Sequence, residues 1–572
     1  MAFGLIQWSV IIYCGYFSCG KLSLFLSITN LNQTVVNNAE KIPSMKKTFL
    51  FLFLIVSFLS FGQDLDVQIF KGELNADSII NTSLLFSEND GNDGLITVRN
   101  TETVLSYNPY PKEYYIEHYD KELKLVKKIT LTNEEKTHLK GMIIDNGNVS
   151  LIQFDYNKES EIVNVNILES KIKDLEFEKR LLKSFNKDTF NRYFGDFSSN
   201  YLSQQFRFIS ENPFGKIEFS KNKKFFTIQF KHIEKKNQIY YFTVYDNNFD
   251  KIYDVKHTNQ DKYSDFQSID LSDYDGTLFL LQKNYENESR KDEKKGNTNY
   301  NYELYKFKDE SKQQIKLKES SKFITSLFIL PKAKSVSLVG LYSSEGEDYL
   351  EGVCHYNLEL GDFKINKKSF EPLTEQFYTD KYKKGKAEKS KRIRNLEIRS
   401  LIIDEKENII ISAEEFTIVN PNVSRQNMPF PEQSNNSSFI KDDVYHYDDI
   451  LSVKINNDGK ILWSRNINKR QIGIKKSSFV SAYVNGSMFY FLNGNFKELK
   501  DDRFEFIQSG LRKSNLYLVS VNEYGIKYKK LIEDKESRLW YDVQNGIVSL
   551  DLKSVIFQGI KKREKQIIKI SI

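Results

Sequence analysis

The sequence predicts an all-β protein in which one antiparallel unit of four strands is repeated along most of the chain. Two observations predict it. Runs of apolar, aromatic and β-branched residues that end in Asp or Asn recur between residues 114 and 522. A second set of β-branched runs recurs with them, each starting at or just after a turn. Recurrence of this kind is typical of repeat architectures.

The first kind of run reads as a strand closed by a turn, as in Tyr114–Asp120 and Tyr240–Asp246. Asp and Asn suit the closing position because their side-chain oxygens accept hydrogen bonds from the backbone of the following turn. The closing residues stand at positions 120, 166, 246, 309, 357, 456 and 522. The shortest intervals, 46 residues (166 − 120) and 48 residues (357 − 309), match a repeat of about 40–50 residues.

The second kind of run supplies another strand of each unit, and there are eight such runs. They begin at residues 95, 149, 225, 278, 336, 409, 488 and 555. Turn residues such as Asn146-Gly147 and Asn485-Gly486 precede several of them, with a further strand-like run upstream. One unit is therefore predicted as four strands, A to D, with tight A–B and C–D turns.

This pattern resembles that of the β-propeller superfamily over residues 63–572. Seven or eight four-stranded antiparallel blades are expected, and the eight B strands favour eight. Asn456–Trp463 is similar to the turn-plus-Trp motif of quinoprotein-type blades. The last repeat ends at strand C, Gln566–Ile572, so we expect the N-terminal run Asp66–Phe70 to supply its outer strand and close the ring.

Insertions predict which face of the propeller carries function. The longest fall at B–C and D–A connections, which emerge on the same face of an antiparallel blade. They span residues 284–300, 369–395, 420–443 and 495–510. Long loops on one face of a repeat array are typical of its binding side. In another D–A stretch, Phe177, Leu181 and Phe185 follow helical spacing and predict a short helix, with a long crossing loop as the alternative.

The N-terminal region predicts export. A basic start at Met45–Thr48 is followed by the uncharged apolar run Phe49–Phe61 and then by small residues, as in a secretory signal peptide over residues 45–62. Residues 1–44 are then an upstream extension from a miscalled start; the alternative is a membrane anchor near the first residue. Signal and composition look like those of exported Bacteroidetes proteins.

The expected mature chain is a single propeller domain over residues 63–572 with no integral membrane span, in the periplasm or outside the cell. Its charge gives no drive toward nucleic acid, since the whole chain carries only +6. Cys354 is the one cysteine after the signal, so it is expected to pack as a small core residue without a disulfide. No resident cofactor or metal is expected, with Ca²⁺ as an open alternative, and the chain is expected to be a monomer.

The densest chemical cluster lies where the sixth B–C loop enters strand C. It contains Asp442, Asp443, Asp448 and Asp449, with His446 among them. Carboxylates so close in sequence could bind Ca²⁺, or could act as acid and base in glycosidic cleavage. The alternative interpretation is a solvated strand entrance.

A basic run in the fifth D–A connection is the candidate binding segment. Its members are Lys381, Tyr382, Lys383, Lys384, Lys391, Arg392 and Arg394. Cations interleaved with an aromatic ring could grip an anionic polymer, such as an acidic polysaccharide or lipid headgroups. A merely solvated loop is the alternative. His118 and His355 recur in corresponding strands and are predicted to be structural.

The leading functional hypothesis is an exported, non-enzymatic propeller that presents its loop-rich face to a protein or glycan partner at the cell envelope. It rests on one-sided insertion without a convergent catalytic set. The first alternative is a carbohydrate-active enzyme, a glycoside hydrolase or lyase, that uses the four loop-face Asp residues. The second is a quinoprotein-like scaffold subunit. An enzymatic activity is therefore left open and is not the favoured reading.

Overall fold

The computed structural model describes residues 65–77, 82–101, 111–133, 137–157, 159–186, 189, 215–234, 237–259, 263–286, 293–294, 297–344, 349–382, 393, 395–419, 444–473, 478–501, 503–508, 515–537, 539–549 and 553–572. The segment from Val67 to Ile572 forms one compact unit. Outside the described residues lie the predicted extension 1–44, the predicted signal peptide 45–62, Asp442, Asp443, Lys383, Lys384, Lys391, Arg392 and Arg394. Within the described part of the chain, no helix is both long and apolar enough to cross a membrane.

The strands form successive antiparallel groups, numbered I to VIII here, with strands lettered A to D in chain order inside each. Two short strands come first, β1 (Gln68–Lys71) and β2 (Asn75–Ala76). Group I contains β3 (Thr82–Asn89), β4 (Leu95–Thr101), β5 (Glu113–Tyr119) and β6 (Leu125–Thr132). Group II contains β7 (His138–Asp145), β8 (Asn148–Asn157), β9 (Ile162–Lys171) and β10 (Glu178–Asn186). Group III contains β11 (Lys216–Phe219), β12 (Phe225–Glu234), β13 (Asn237–Asp246) and β14 (Lys251–Asn259).

Group IV contains β15 (Ser264–Leu271), β16 (Leu278–Tyr285), the small hairpin β17 (Glu293–Lys294) and β18 (Asn297–Thr298), then β19 (Tyr300–Lys308) and β20 (Ser311–Leu317). Group V contains β21 (Phe323–Pro331), β22 (Ser335–Ser343), β23 (Gly352–Glu359) and β24 (Lys364–Pro372), and helix α1 (Glu375–Lys381) follows. Group VI contains β25 (Leu396–Ile403), β26 (Ile409–Val419), β27 (Val444–Ile455) and β28 (Ile461–Ile467), and β29 (Lys469–Gly473) follows. Group VII contains β30 (Phe479–Val484), β31 (Ser487–Glu498), an inserted β32 (Phe504–Ile507), β33 (Asn515–Asn522) and β34 (Gly525–Ile532). Helix α2 (Asp534–Ser537) leads to β35 (Trp540–Tyr541), a 3₁₀ turn (Val543–Asn545), β36 (Ile547–Ser549), β37 (Ser554–Lys561) and β38 (Glu564–Ser571) of group VIII.

Strand order identifies the fold as an all-β propeller. In groups I to V the four main strands pair in chain order, antiparallel throughout. Groups VI and VII share one ten-stranded sheet because β29 and β32 join them, and group VIII takes strands from both ends of the chain. The predicted all-β architecture of four-stranded antiparallel blades is confirmed. The choice between seven and eight blades stays a prediction, because a shared sheet and a composite group can be counted in more than one way.

Each sheet is packed between its neighbours, which explains the apolar composition of its middle strands. β22, for example, is buried from Val336 to Ser343 and mixes with strands of group IV in one core cluster. A strand covered on both faces needs apolar residues at consecutive positions. The outer D strands are polar instead: most of β24 is exposed and lysine-rich. Charges on an exposed edge discourage pairing with another chain.

Three of the predicted closing turns share one geometry. Asp120 Oδ1 accepts the backbone N–H groups two and four residues later, each at 2.9 Å. Asp246 and Asn456 do the same at 2.9–3.0 Å. The prediction is wrong for Asn166 and Asn357, which lie inside β9 and β23, with their turns several residues further on.

The third residue of this turn anchors one group on the group before it. Leu123 and Phe249 stand there with φ of 61° and 68°, and both side chains are buried in the core shared with the preceding group. Gly459 replaces them in group VI, with φ of 82°. His355 and Ser369 fill the space: a Cβ on Gly459 would lie 1.9 Å from Ser369 Oγ. A glycine is therefore required at this position.

A bulge recurs in the inner strand A of five groups, which the sequence did not predict. The extra residue is Leu85, Lys140, Gln267, Thr325 or Arg399 in groups I, II, IV, V and VI. A bulge twists its strand and re-aims the inserted side chain. The predicted helix over Phe177, Leu181 and Phe185 is wrong, since these residues lead into and occupy β10. These residues do not share one side of the strand either, because a bulge at Leu182 leaves Leu181 58% exposed while Phe185 is buried in the core.

All long connections leave the groups on one side, which we call the loop face. No A–B or C–D turn exceeds six residues, the longest being 172–177 and 272–277. B–C connections reach residues 420–443 and D–A connections reach 373–395. The predicted one-sided insertion is confirmed.

The two ends of the chain close group VIII together. β1 pairs antiparallel with β38, Ile69 opposite Ile570 and Phe70 opposite Lys569. The pairing continues where Gly72 N donates to Ile567 O at 2.9 Å. The predicted closure by the N-terminal strand is confirmed.

A buried charge network ties the same N-terminal segment to group I. Arg99 Nη1 and Nη2 contact Asp77 at 2.5 and 2.9 Å, and Nε and Nη2 contact Glu117 at 3.0 and 2.6 Å. Thr82 Oγ1 also donates to Asp77 at 2.8 Å. The Arg99 and Asp77 side chains are 1% and 0% exposed. Lys128, partly exposed, contacts both carboxylates at 3.2 and 3.3 Å.

Candidate functional site

Three of the predicted insertions, 369–395, 420–443 and 495–510, begin or end beside one another on the loop face of group VI. Helix α1 comes from the connection between groups V and VI, and it packs against strand D of group VI, β28. β26 and β27 extend as a hairpin, and β29 pairs with β27 through Tyr447 opposite Gln471. β32, inserted in group VII, runs parallel to β29 with Lys469 opposite Phe506. The insertions thus share one hydrogen-bonded sheet.

We call the place where α1, the β26–β27 hairpin, β29 and β32 meet the junction. Lys381, at the end of α1, contacts two acidic residues of the hairpin, and we call Lys381, Glu415 and Asp449 the Lys381 cluster. Lys381 Nζ lies 2.6 Å from Asp449 Oδ2 and 2.8 Å from Glu415 Oε1. Asp449 also accepts Asn466 Nδ2 at 3.2 Å and the backbone N–H of Lys469 at 3.0 Å. The Lys381 side chain is only 9% exposed.

Further contacts fix the helix to its neighbours. Arg465 Nε and Nη2 contact both oxygens of Asp380 at 2.7 and 3.1 Å. Asn468 Nδ2 donates to the Asp380 carbonyl at 2.9 Å, and Arg503 donates to the Lys381 carbonyl at 3.0 Å. Donors at the end of a helix satisfy carbonyls that have no partner within the helix. The junction is therefore rigidly built.

A second buried ion pair lies at the same hairpin, between Glu414 and Lys469. Their side chains are both 0% exposed, and Lys469 Nζ contacts Glu414 Oε1 at 2.9 Å. Lys469 also donates to the Tyr447 carbonyl at 2.9 Å. The bulge residue Arg399 donates to Glu414 Oε2 at 3.1 Å, and Ser478 donates to Glu414 Oε1. The carboxylate is thus fully engaged.

Burial and pairing shift the pKa values of this region in opposite ways. Burial lowers the pKa of Lys381, but Asp449 and Glu415 outweigh it and leave that pKa raised. Burial raises the pKa of Glu415 despite Lys381. Burial, with the Asp449 charge as a further cause, also raises the pKa of Asp448 in spite of Lys469. Lys469 itself has a lowered pKa, because burial outweighs Glu414. Glu415 and Asp448 are thus two half-buried carboxyls whose pKa is raised here.

The structure changes the interpretation of two predicted sites. Lys381 was expected on an exposed basic loop, yet it is buried, because Glu415 and Asp449 compensate its charge inside the junction. Tyr382 caps α1, its N–H donating to the Tyr378 carbonyl, and is half-buried. Asp448 and Asp449 lie within β27, at a register break opposite Glu415, and only Asp449 joins the cluster. For the other candidate residues, which lie outside the described ranges, the predictions stand untested.

Aromatic and exposed side chains line the hairpin beside the junction. Phe416 stacks on Tyr445 at 5.9 Å between ring centroids, and the Arg399 guanidinium lies 5.0 Å from the Phe416 ring. On β29, Ile472 is 47% exposed and Arg470 59% exposed. Ile472 stands opposite His446, so strand alternation places Ile472 and Arg470 on the other side of the sheet from Tyr445. An exposed apolar residue beside a cation is typical of recognition surfaces.

The acid–base capacity of the predicted carboxylates is limited by their contacts. Three donors occupy the oxygens of Asp449, so this group acts as an anchor in the resting structure. Among the described residues, no three or more His, Cys, Asp and Glu side chains are grouped so that they could hold a metal ion.

Sequence reasoning missed Glu414, Glu415 and Lys469. The signal for the first two was present, since two acids interrupt the apolar strand β26. Charged residues inside a buried strand demand partners. The lysine partners come from 34 (415 − 381) and 55 (469 − 414) positions away, which the local pattern cannot show.

Three predicted structural residues behave as expected. His118 Nε2 contacts Asp90 Oδ2 at 2.8 Å, and His355 Nε2 contacts Ser337 Oγ at 3.1 Å. Cys354 is fully buried and free, and burial raises the pKa of its thiol, which makes it unreactive.

No protein-family model matches this sequence, and no curated protein matches it either. Among solved structures, the chain is similar to a prolyl endopeptidase, with 8% identity, a TM-score of 0.37, and coverage of 84% of this chain and 54% of that one. It is similar to the β-propeller domain of the Trilobed protease from Pyrococcus furiosus, with 9% identity, a TM-score of 0.33, and coverage of 80% and 98%. It is also similar to the polysaccharide lyase Uly1, with 10% identity, a TM-score of 0.32, and coverage of 76% and 90%. Likenesses this distant carry no argument about activity, and the chain spans only about half of the prolyl endopeptidase.

Proposed function

We propose that this propeller is an exported, non-catalytic binding protein whose partner, a protein or a glycan of the cell envelope, binds the loop face at groups VI and VII. One observation carries the proposal. The described parts of the insertions of groups V to VII, which are α1, the ends of β26 and β27, and β32, are joined with β29 into one surface by hydrogen bonds and ion pairs. Ordering a residue costs about 1–2 kcal/mol of backbone entropy, so an ordered insertion suggests a use.

The charges of the junction support binding over catalysis. Lys381 neutralises Glu415 and Asp449 and spans α1 and the β26–β27 hairpin, which fixes the surface in one shape. A preformed surface loses less entropy when its partner binds. Export rests on the signal-peptide pattern of residues 45–62.

The experiment uses the exposed Ile472. The mature protein captures its partner from a cell-envelope extract, and Ile472→Asp is expected to reduce capture at least tenfold. Leu462→Asp is the matched control, because Leu462 is 50% exposed in the same group but follows the C–D turn on the opposite face. Equal capture by wild type and Ile472→Asp, or equal losses in both variants, would contradict the proposal.

A carbohydrate-active enzyme is the second candidate, and Asp448 favours it. Its pKa is raised by burial, as an acid catalyst requires, and its side chain remains half-buried. Under this alternative, Asp448→Asn abolishes cleavage of polysaccharides while capture of the partner persists. Absence of any cleavage by the wild-type protein would exclude it for the substrates tested.

A further inference from the structure

Buried polar side chains gather between groups III and IV, away from the junction on group VI. Ser264, Asn284 and Asn301 stand opposite one another on three adjacent strands of group IV, β15, β16 and β19. They lie where these strands begin or end on the loop face. Gln282 follows in the next row of the same side, and His257 of group III faces it.

Each of these five side chains has a buried polar atom without a hydrogen-bond partner among the described residues. The atoms are Ser264 Oγ, Gln282 Nε2, Asn284 Oδ1, Asn301 Oδ1 and His257 Nδ1. Four of the residues are nearly inaccessible: Gln282 is 0%, Ser264 1%, His257 3% and Asn301 4% exposed. Orphaned buried groups are rare in native proteins, because each costs its full desolvation energy.

The contacts that do form fix the direction of the orphaned atoms. Gln282 Oε1 is held by His257 Nε2 at 3.3 Å, which turns Nε2 of Gln282 the other way. Burial lowers the pKa of His257 to about 4, so its ring is neutral at pH 7 and Nδ1 is a bare acceptor when Nε2 donates. Asn301 is held through a side-chain hydrogen bond to Glu286, which leaves Oδ1 of Asn301 free.

The free atoms include both donors and acceptors, and they carry no net charge. Gln282 Nε2 donates, the two Asn oxygens and the His nitrogen accept, and Ser264 Oγ can do both. The neighbouring carboxylates already have partners: Glu303 accepts the Tyr305 hydroxyl at 2.5 Å, and Glu286 pairs with Lys318 at 2.7 Å. A buried ion would therefore lack compensation here.

We propose that this cluster, Ser264, Gln282, Asn284, Asn301 and His257, is a binding site for neutral hydroxyl groups, supplied by ordered water molecules or by a sugar residue. A hydroxyl donates and accepts at once, which matches the mixed set of free atoms. The site goes beyond the proposed function and does not depend on it.

Crystal structures of the full mature protein distinguish the two sources. Crystals grown without ligand are compared with crystals soaked in the neutral sugars cellotetraose or maltotetraose. Ordered water within hydrogen-bond distance of the five atoms in both supports the site, with water as its ligand. Sugar hydroxyls in place of the water support it with a glycan as its ligand. Side chains turned to bond one another, or an ion at this position, would overturn it.

A measurement in solution tests whether bound hydroxyl groups occupy the site. It asks whether removal of the Ser264 hydroxyl lowers or raises the stability of the protein. If bound hydroxyls satisfy Ser264, then Ser264→Ala removes a hydrogen bond and lowers the midpoint of urea unfolding. Ser412→Ala is the matched control, because Ser412 is equally buried and contacts the Tyr490 hydroxyl at 2.8 Å. The proposal would be overturned if Ser412→Ala lowers the midpoint while Ser264→Ala leaves it unchanged or raises it. That result would show that the Ser264 hydroxyl has no hydrogen-bond partner, neither water nor sugar.

Discussion

Replacing Arg99 by methionine is expected to weaken ring closure severely. Methionine keeps much of the apolar stem but removes the guanidinium that contacts Asp77 and Glu117. Both carboxylates have 0% exposed side chains, so neither can regain water without local unfolding. Lys128 remains, at 3.2 and 3.3 Å, but it is partly exposed and cannot replace five hydrogen-bonding donors. Asp77 belongs to the N-terminal segment that contains β1. We therefore expect the loss of stability to weaken the pairing of β1 with β38.

The expected loss in the free energy of unfolding follows from the removal of one partner of a buried ion pair. Removal of one partner typically costs about 3–5 kcal/mol, because a charge is left buried without compensation. Arg180→Met is the matched control: Arg180 also pairs with a glutamate, Glu169, but the two side chains are 45% and 39% exposed. An exposed pair contributes about 0–1 kcal/mol. The expected difference between the variants is thus about 2–5 kcal/mol.

Urea unfolding followed by far-ultraviolet circular dichroism measures both variants. A loss for Arg99→Met no larger than that for Arg180→Met would refute the reasoning. The triple variant Arg99→Met, Asp77→Asn, Glu117→Gln separates charge from packing, because it leaves no fully buried charge without a partner, and the remaining Lys128 is partly exposed to water. It should recover most of the loss.

The loss of stability in Arg99→Met should also depend on pH. Burial would raise the pKa of Asp77 and Glu117, but Arg99 outweighs it and holds both below their usual values. Groups with a pKa lowered by folding stabilise the fold above their unfolded pKa, and that contribution disappears as the pH falls through the folded pKa. The gap between wild type and Arg99→Met should therefore narrow in acid.

Three further predictions concern other parts of the fold. Gly459→Ala should lower the midpoint of thermal unfolding far more than Gly486→Ala, since both have a left-handed φ but only Gly459 has no room for a Cβ; equal shifts would mean that backbone strain alone matters. Lys381→Met should destabilise the protein at pH 8 and less at pH 5, because Glu415, whose pKa burial already raises, can then be protonated; a deficit constant with pH in urea unfolding would contradict this. Deleting residues 63–74 should cause aggregation in light scattering, since the edge of β38 loses its partner; a monodisperse deletion variant would argue against closure by this strand.

Local chemistry explains what the sequence could predict. The turns after Asp120 and Asn456 follow from side-chain oxygens that bond their own backbone, so a single position reveals them. The strands that follow are apolar at consecutive positions because sheets cover both faces. The helix predicted over Phe177 to Phe185 is wrong because the spacing does not mark one buried face: Phe185 is buried, whereas Leu181 lies beyond a bulge and is 58% exposed.

The candidate site was only partly predictable, because its contacts are long-range. Asp449 and Lys381 were both noticed, but for exposed roles, and their 2.6 Å ion pair joins segments 68 positions apart. The bulge that re-aims Arg399 leaves no trace in the local pattern. Pairing of Lys469 with Glu414 depends on where β29 crosses the hairpin, which only the assembled sheet shows.

The pairing of β1 with β38 has a consequence for the order of folding. Ile69 and Ile570 are opposed in the sheet but 501 positions apart (570 − 69). Bringing the ends of such a long chain together costs about 5–6 kcal/mol from (3/2)RT ln n, whereas the other strands meet partners a few residues away. During synthesis β38 also emerges after the other strands described above. Group VIII should therefore assemble after the rest of the molecule, once folding of the earlier groups has shortened the distance its two ends must search.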